Sequence, residues 1–297
     1  MVVALGFESE TFGIAGAATH ALEMVDIPSA QKVQDHIVAK MKQYGQQKEE
    51  NLLKIVVCGA GFTGIELVGA LAENKATFAQ TAGVEVEKIE IYCVEAMDTI
   101  LPMFNEGLQD YCKKELNKLG VHLLLSSPIK TIEAGCVFYG DNQKLEARTI
   151  IWTTGVSGSH VIADSGFEQR RGRVMVNPDL TAPGYENVYI IGDVAAVMDE
   201  KSKRPYPTTA QISLKTGEVA ARNITFQLRN KPTQAFHFKS LGSGASIGNT
   251  DALGLVGNMA VKGYPASFVK KMIMNKSLLE TGGTKEFFAK GHFDLYH

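Results

Sequence analysis

Ile55-Val56-Val57-Cys58-Gly59-Ala60-Gly61-Phe62-Thr63-Gly64-Ile65-Glu66-Leu67-Val68-Gly69-Ala70-Leu71 is the stretch on which the fold turns. An apolar run leads straight into G-x-G-x-x-G, and the run after it is long enough and apolar enough for a helix. The first part reads as a buried strand and the second as a helix. Between them Gly59 makes the tight turn, Gly61 lets the backbone approach a pyrophosphate, and Gly64 lets helix and strand pack closely. The helix N-terminus then turns unpaired N–H groups and a partial positive charge toward the phosphates. Strand, turn and helix in this order point to a dinucleotide; a glycine turn without a ligand is the alternative.

Downstream, Ile89-Glu90-Ile91-Tyr92-Cys93-Val94 reads as a second strand closed by Glu95. An acid there is placed to accept hydrogen bonds from an adenosine ribose 2′-hydroxyl. The gap from Gly61 exceeds the usual spacing of about 20 residues, which a longer helix or an insertion around Thr77–Glu87 would explain. No Arg or Lys follows Glu95 directly, so NAD is favoured over NADP; a solvated strand-end carboxylate is the plain alternative. Leu108 to Leu119 reads as an amphipathic helix ended by Gly120, Val121 to Leu125 as a third strand, and Val137-Phe138-Tyr139 as part of a hairpin. This alternation means an α/β fold with a parallel, doubly wound sheet.

Two more Gly-terminated strands follow, Thr149 to Gly155 and Asn187 to Asp193. A strand ending in Gly192-Asp193 and opening a helix would aim a carboxylate and free N–H groups at one point, which suits a polyol and a phosphate; a capping Asp is the simpler alternative. Upstream, residues 30–50 are polar and helix-prone and read as a connector. Met1 to Gly6 reads as a buried strand ending in a Gly turn.

The totals exclude several classes. A length of 297 residues allows two domains, and 45% hydrophobic with 21% charged residues describes an ordinary globular core. A net charge of −2 offers no basic field for nucleic acid. Cys58, Cys93, Cys112 and Cys136 form no CxxC, so neither a zinc signature nor a dithiol motif is expected, and a reducing compartment is. Seven scattered histidines form no HxxxH pair, so no metal site is expected. Nothing at the N-terminus resembles a signal peptide, and no apolar run is long enough to span a bilayer.

Residues 236–297 differ in character. Lys262 to Lys276 holds four lysines and no acid, with Pro265 suited to a first helical turn. Phe268, Val269, Met272 and Ile273 fall on one face, with Lys270, Lys271 and Lys276 around it. That pattern fits an ordinary surface helix, or a helix lying in a membrane interface with each lysine worth about 1 kcal/mol near anionic headgroups. Gly242 to Ser246 reads as a hairpin turn rather than a second phosphate loop.

Taken together these motifs resemble the flavoprotein pyridine-nucleotide reductases with two dinucleotide folds, and more closely the type II NADH dehydrogenases. The resemblance is carried by Val3 to Gly6, Gly59 to Glu66, Thr153 to Val156, Ile191-Gly192-Asp193, Pro207 to Gly217, Gly263 to Ala266 and Phe293 to Tyr296. It implies FAD and NAD as cofactors, NADH as donor, a membrane quinone as acceptor, and a peripheral place on the cytoplasmic side of the cell membrane; it also allows a homodimer. Under it, Gly59, Gly61, Gly64 and Glu95 hold NAD, while Gly155, Gly192, Asp193 and Ala210 hold FAD. Glu66 stands near the nicotinamide, and Gln211 faces the quinone.

The family's usual AQxAxQQG departs here to Ala210-Gln211-Ile212-Ser213-Leu214-Lys215-Thr216-Gly217. Lys215 then either donates to a quinone carbonyl or is a solvated helix residue. The implied domains are 1–28 as a remnant of the FAD domain, 51–145 for NAD, 146–235 as the returning half of the FAD domain, and 236–297 as the quinone and membrane region. A first FAD half with its own G-x-G-x-x-G is expected to be missing. Two other functions stay open: a soluble NADH-dependent flavin reductase using oxygen or a protein acceptor, and an inactive relic that binds NADH.

Overall fold

The computed structural model describes residues 1–240, 242–257 and 259–291. The expected Phe293 to Tyr296 match lies outside them. The chain divides into two compact units, one of residues 11–154 with 241–297, the other of residues 1–10 with 155–240.

The first unit is built on a five-stranded parallel sheet. Its elements are β1 (Leu22–Glu23), α1 (Ile27–Gln47), β2 (Lys54–Cys58), α2 (Phe62–Glu73), α3 (Lys75–Ala82), β3 (Glu90–Val94), α4 (Glu106–Lys118), β4 (Val121–Leu124) and β5 (Thr149–Trp152). The strand order is β1-β5-β2-β3-β4, every pair parallel. β2 is central, and Ile55, Val56, Val57 and Cys58 are buried on both faces, as a parallel sheet covered by helices requires. The long gap before Glu95 is filled by the second helix, α3.

Residues 30–50, expected as a connector, form most of α1. Its apolar residues are few, but Val33, Ile37, Met41 and Tyr44 recur every three or four positions and are buried. That stripe packs on the sheet, so a polar average hides an amphipathic helix. Its start is fixed by a capping box: Ser29 N–H donates to Asp26 Oδ1 at 2.7 Å, while Asp26 N–H donates to Ser29 Oγ at 2.9 Å.

The expected hairpin around Val137 is the middle of a three-stranded antiparallel meander, Ile129–Glu133, Cys136–Tyr139 and Gln143–Glu146. The same unit receives a second antiparallel sheet from the end of the chain: β6 (Gly242–Ile247), β7 (Asp251–Val256) and β8 (Met259–Lys262), followed by α5 (Tyr264–Lys290). Gly242 to Ser246 is therefore strand, and the turn lies at 248–250. α5 is interrupted at Gly283, where φ is +67°.

The second unit has small sheets, a short helix at His160–Asp164 and a long one at Ala210–Leu228. Val2–Val3 pairs parallel with Tyr189–Ile190, and Phe7–Ser9 pairs antiparallel with Val156–Gly158. The helix Ala210–Leu228 covers a core that includes Leu180, Tyr189, Ile190, Val194, Ile212 and Val219. Two expectations are corrected here. Met1 to Gly6 is not buried: Val2 is 47% and Leu5 45% exposed. The strand at Asn187 to Asp193 is only Tyr189–Ile190, and Gly192-Asp193 opens a single 3-10 turn rather than a helix. Gly192 takes φ +70°, which ends extended pairing at that point.

Candidate functional site

The glycine loop has the shape its sequence promised. Gly59 adopts φ +103°, with the Thr154 α-carbon 3.0 Å from where a Cβ would stand. A Cβ on Gly64 would overlap the Gly59 carbonyl oxygen and lie 2.9 Å from Thr153 Oγ1. Gly61 differs, because nothing lies within 4 Å of its Cβ position. Gly61 is also the N-cap of α2, and no side chain caps that helix. The start of α2 is thus uncapped by any side chain and the space beside Gly61 is open, the arrangement that receives a pyrophosphate.

Glu95 is joined to this loop directly. Ala60 N–H donates to its Oε2 at 2.7 Å and Met97 N–H to its Oε1 at 2.9 Å. The carboxylate is thereby held at the mouth of the loop, and its remaining lone pairs can accept from a hydroxyl.

Glu66 lies one turn into α2. Its Oε1 accepts from Ser246 N–H of β6 at 3.2 Å and is ion-paired to Lys270 of α5. Lys270 was expected beside the headgroup-facing lysines. Instead its side chain is only 19% exposed and turns inward. Sequence reading missed this pair because its members stand 204 residues apart. Around it, Phe268, Met272 and Ile273 are exposed as expected, and Met274 and Leu279 extend the apolar surface.

In the other unit, Gly192 N–H donates to Thr216 Oγ1 at 3.0 Å, and Ser213 Oγ donates to Asp193 Oδ1 at 3.0 Å. The 3-10 turn carrying Gly192 and Asp193 is thus tied to the face of the helix that Ala210 and Gln211 open. Thr209 caps that helix through Ile212 N–H. Lys215 forms an ion pair with Glu218 at 2.7 Å. Gly155 accepts from Glu10 N–H at 3.1 Å.

Arg173, which the sequence did not single out, donates from Nη2 to the Ala195 and Tyr206 carbonyls, both at 2.9 Å. Its Nε is buried without a partner among the described residues. Burial lowers its pKa, against the opposing pull of Asp193. A cavity of about 1010 Å³ opens beside it, between Phe167, Val174 and Tyr185. No residue of the glycine loop lines that cavity.

The thiols take no visible part. Cys58, Cys93 and Cys112 are buried and free. Burial pushes the Cys93 and Cys112 thiols up to about 12 and Cys58 higher still. They stay protonated near neutral pH and are poor nucleophiles. Among the described residues no group of His, Cys, Asp and Glu could hold a metal, and no helix is long and apolar enough to cross a membrane.

Residues 1–217 match the family model described as pyridine nucleotide-disulphide oxidoreductase. The type II NADH:quinone oxidoreductase of Staphylococcus epidermidis is 39% identical over 298 residues, covering 99% of this chain and 74% of that protein. The chain belongs to the type II NADH:quinone oxidoreductases. Its Staphylococcus aureus relative of the same name is 38% identical over the same shares. Among solved structures, that of NDH2 from Plasmodium falciparum in complex with NADH is 18% identical, with a TM-score of 0.85 over 97% of this chain and 76% of that one. A ferredoxin reductase from Rhodopseudomonas palustris matches at 0.66 over 86% of this chain and 57% of that one, with 17% identity. These two likenesses are of fold.

Proposed function

We propose that this chain oxidises NADH and reduces a membrane quinone, with FAD as its resident cofactor. The observation that carries the reading is the glycine loop: an uncapped helix N-terminus opening at Gly61 onto free space, with Glu95 fixed at its mouth. In this reading the N–H groups of α2 bind the NADH pyrophosphate and Glu95 accepts from the adenosine ribose. Glu66 lines the nicotinamide end.

Residues of the other unit fit the flavin. Gly192, at φ +70°, brings backbone to the site without a side chain, Asp193 is steadied by Ser213 to accept from ribityl hydroxyls, and the helix opening at Ala210 supplies N–H groups. Gly155 lines the nucleotide binding region. When bound, FAD supplies the two-electron relay between hydride donor and quinone. The chain's own work is to orient the partners, exclude water and manage protons. The Glu66–Lys270 pair ties α2 to α5 and so fixes the Glu66 carboxylate at the nicotinamide end. Gln211 faces the quinone, and Lys215 either donates to its carbonyl or serves only its ion pair with Glu218.

The membrane is met from the cytoplasmic side by the exposed face of α5. Phe268, Met272, Ile273 and Leu279 supply apolar area there, and Lys271 and Lys276 flank it. In this proposal residues 51–145 serve the dinucleotide, residues 155–235 the flavin, and the C-terminal segment the membrane, with the β6–β7 turn packed on α2.

The test is steady-state NADH oxidation by FAD-loaded protein with a short-chain quinone, compared with oxygen alone. Turnover dependent on quinone supports the proposal, and equal turnover with oxygen replaces it with a soluble flavin reductase. Flotation with phosphatidylglycerol vesicles tests the membrane face, and light scattering tests the homodimer.

A further inference from the structure

α2 presents Glu66, Gly69 and Glu73 at spacings of three and four, so they form one stripe along the helix. That stripe is the seat of the β6–β7 turn. Asn249 N–H donates to both oxygens of Glu73, at 2.9 and 2.8 Å. Gly248, at φ +73°, comes so close that a Cβ there would overlap the Glu73 carboxylate. A Cβ on Gly69 would stand 2.6 Å from the Gly248 nitrogen and 3.1 Å from the Ile247 carbonyl carbon. At the other end of the stripe Ser246 N–H reaches Glu66.

The hairpin in turn carries α5. Gly263 N–H donates to the Ala252 carbonyl at 2.8 Å, and Ser267 Oγ donates to the Asn249 carbonyl at 3.5 Å. Tyr111 of α4 donates to Asp251 at 2.7 and 2.9 Å, pinning the first residue of β7 from a second side. One turn beyond Ser267, α5 delivers Lys270 to Glu66. Glu73 is the last residue of α2, where the negative end of the helix dipole disfavours a carboxylate. Its hold on the hairpin is the compensating interaction.

We propose that Glu73 and Gly69 are positioning residues for the Glu66–Lys270 pair. Gly69 sets how closely the hairpin lies on α2, Glu73 fixes its register, and the hairpin places Lys270. Neither residue contacts the glycine loop, so the effect travels through backbone position. The inference rests on the reading that Glu66 and Lys270 serve the redox site, and its test separates the two.

The readout is the reactivity of Lys270 in the intact chain toward limiting acetic anhydride, quantified by peptide mass spectrometry with exposed Lys276 as internal reference. Lys270, only part exposed at 19%, is expected to react more slowly than Lys276, whose side chain is 58% exposed. Glu73→Ala and Gly69→Ala should raise its relative rate about threefold or more by loosening the local structure. Glu73→Gln, which keeps an acceptor for Asn249, should restore the wild-type rate. The Ala variants should also lower quinone turnover, and Glu73→Gln should restore it.

Wild-type labelling of Lys270 in folded Glu73→Ala and Gly69→Ala proteins would overturn the proposal. If Gly69→Ala does not fold, Glu73→Ala with its Gln counterpart decides alone. Full quinone turnover by Lys270→Ala would instead overturn the functional reading of the pair and leave the labelling result standing.

Discussion

Gly61 and Gly64 sit three residues apart in one loop, yet alanine at each should do opposite things. At Gly64 a methyl group overlaps the Gly59 carbonyl oxygen and presses Thr153 Oγ1 from 2.9 Å. Overpacking of a rigid site costs about 1–3 kcal/mol. Thr153 Oγ1 donates to the Cys58 carbonyl at 2.7 Å, so its retreat forfeits a hydrogen bond worth about 1 kcal/mol. A total near 3 kcal/mol corresponds to a fall in Tm of roughly 6–12 °C for a unit of this size.

At Gly61 the backbone is ordinary, with φ −76°, and no atom lies within 4 Å of the new methyl. The entropic gain of about 0.4–1 kcal/mol on replacing Gly is set against the similar loss of a preferred N-cap residue. Tm should stay nearly still. The methyl, however, projects into the space that the pyrophosphate takes, and NADH should bind at least about tenfold more weakly, or 1.4 kcal/mol. Differential scanning fluorimetry and NADH titration on both variants are sufficient. Wild-type NADH affinity in Gly61→Ala, or a wild-type Tm in Gly64→Ala, would refute the assignment of these two glycines.

Two further expectations concern carboxylates. Wild-type protein should bind NADH in preference to NADPH, because a 2′-phosphate would meet the Glu95 carboxylate; Glu95→Ser should narrow that preference in a competitive titration, and equal binding of NADPH by the unmodified chain removes Glu95 from the ribose site. Asp179 is subject to burial, which raises its pKa, but hydrogen bonds from Thr181 and Thr233 outweigh this and hold it below the usual aspartate value. Its stabilisation is therefore complete above about pH 4 and is lost as pH falls through the lowered folded value; the Tm difference between wild type and Asp179→Asn should shrink on acidification below pH 4, and a constant difference counts against it.

What could be read in advance was whatever lies close in sequence. The glycine loop, its flanking strand and helix, and Glu95 at the end of the next strand are local patterns with fixed spacing. The helical tendency of residues 30–50 was legible but their packing was not, because the buried stripe of Val33, Ile37, Met41 and Tyr44 is diluted by the polar residues between them. The strand at Tyr189–Ile190 was overextended because apolar composition continues to Ile191, whereas the positive φ of Gly192 ends the pairing. Lys270 was read from its neighbours on α5, where its charge fits a basic surface. Its partner sits on another helix, and no periodicity reports contacts at that separation.

That separation also has a consequence in time. Ser246 and Lys270 follow Glu66 by 180 and 204 residues. At a synthesis rate of about 5–20 residues per second, α2 waits on the order of 10–40 s for them. Until then the bare backbone at Gly69 and the carboxylate of Glu73 lack the hairpin that covers them, although the parallel sheet beneath is already fully encoded. A ribosome paused between residues 154 and 241 would hold a nascent nucleotide fold whose helix is formed on one side and unfinished on the other.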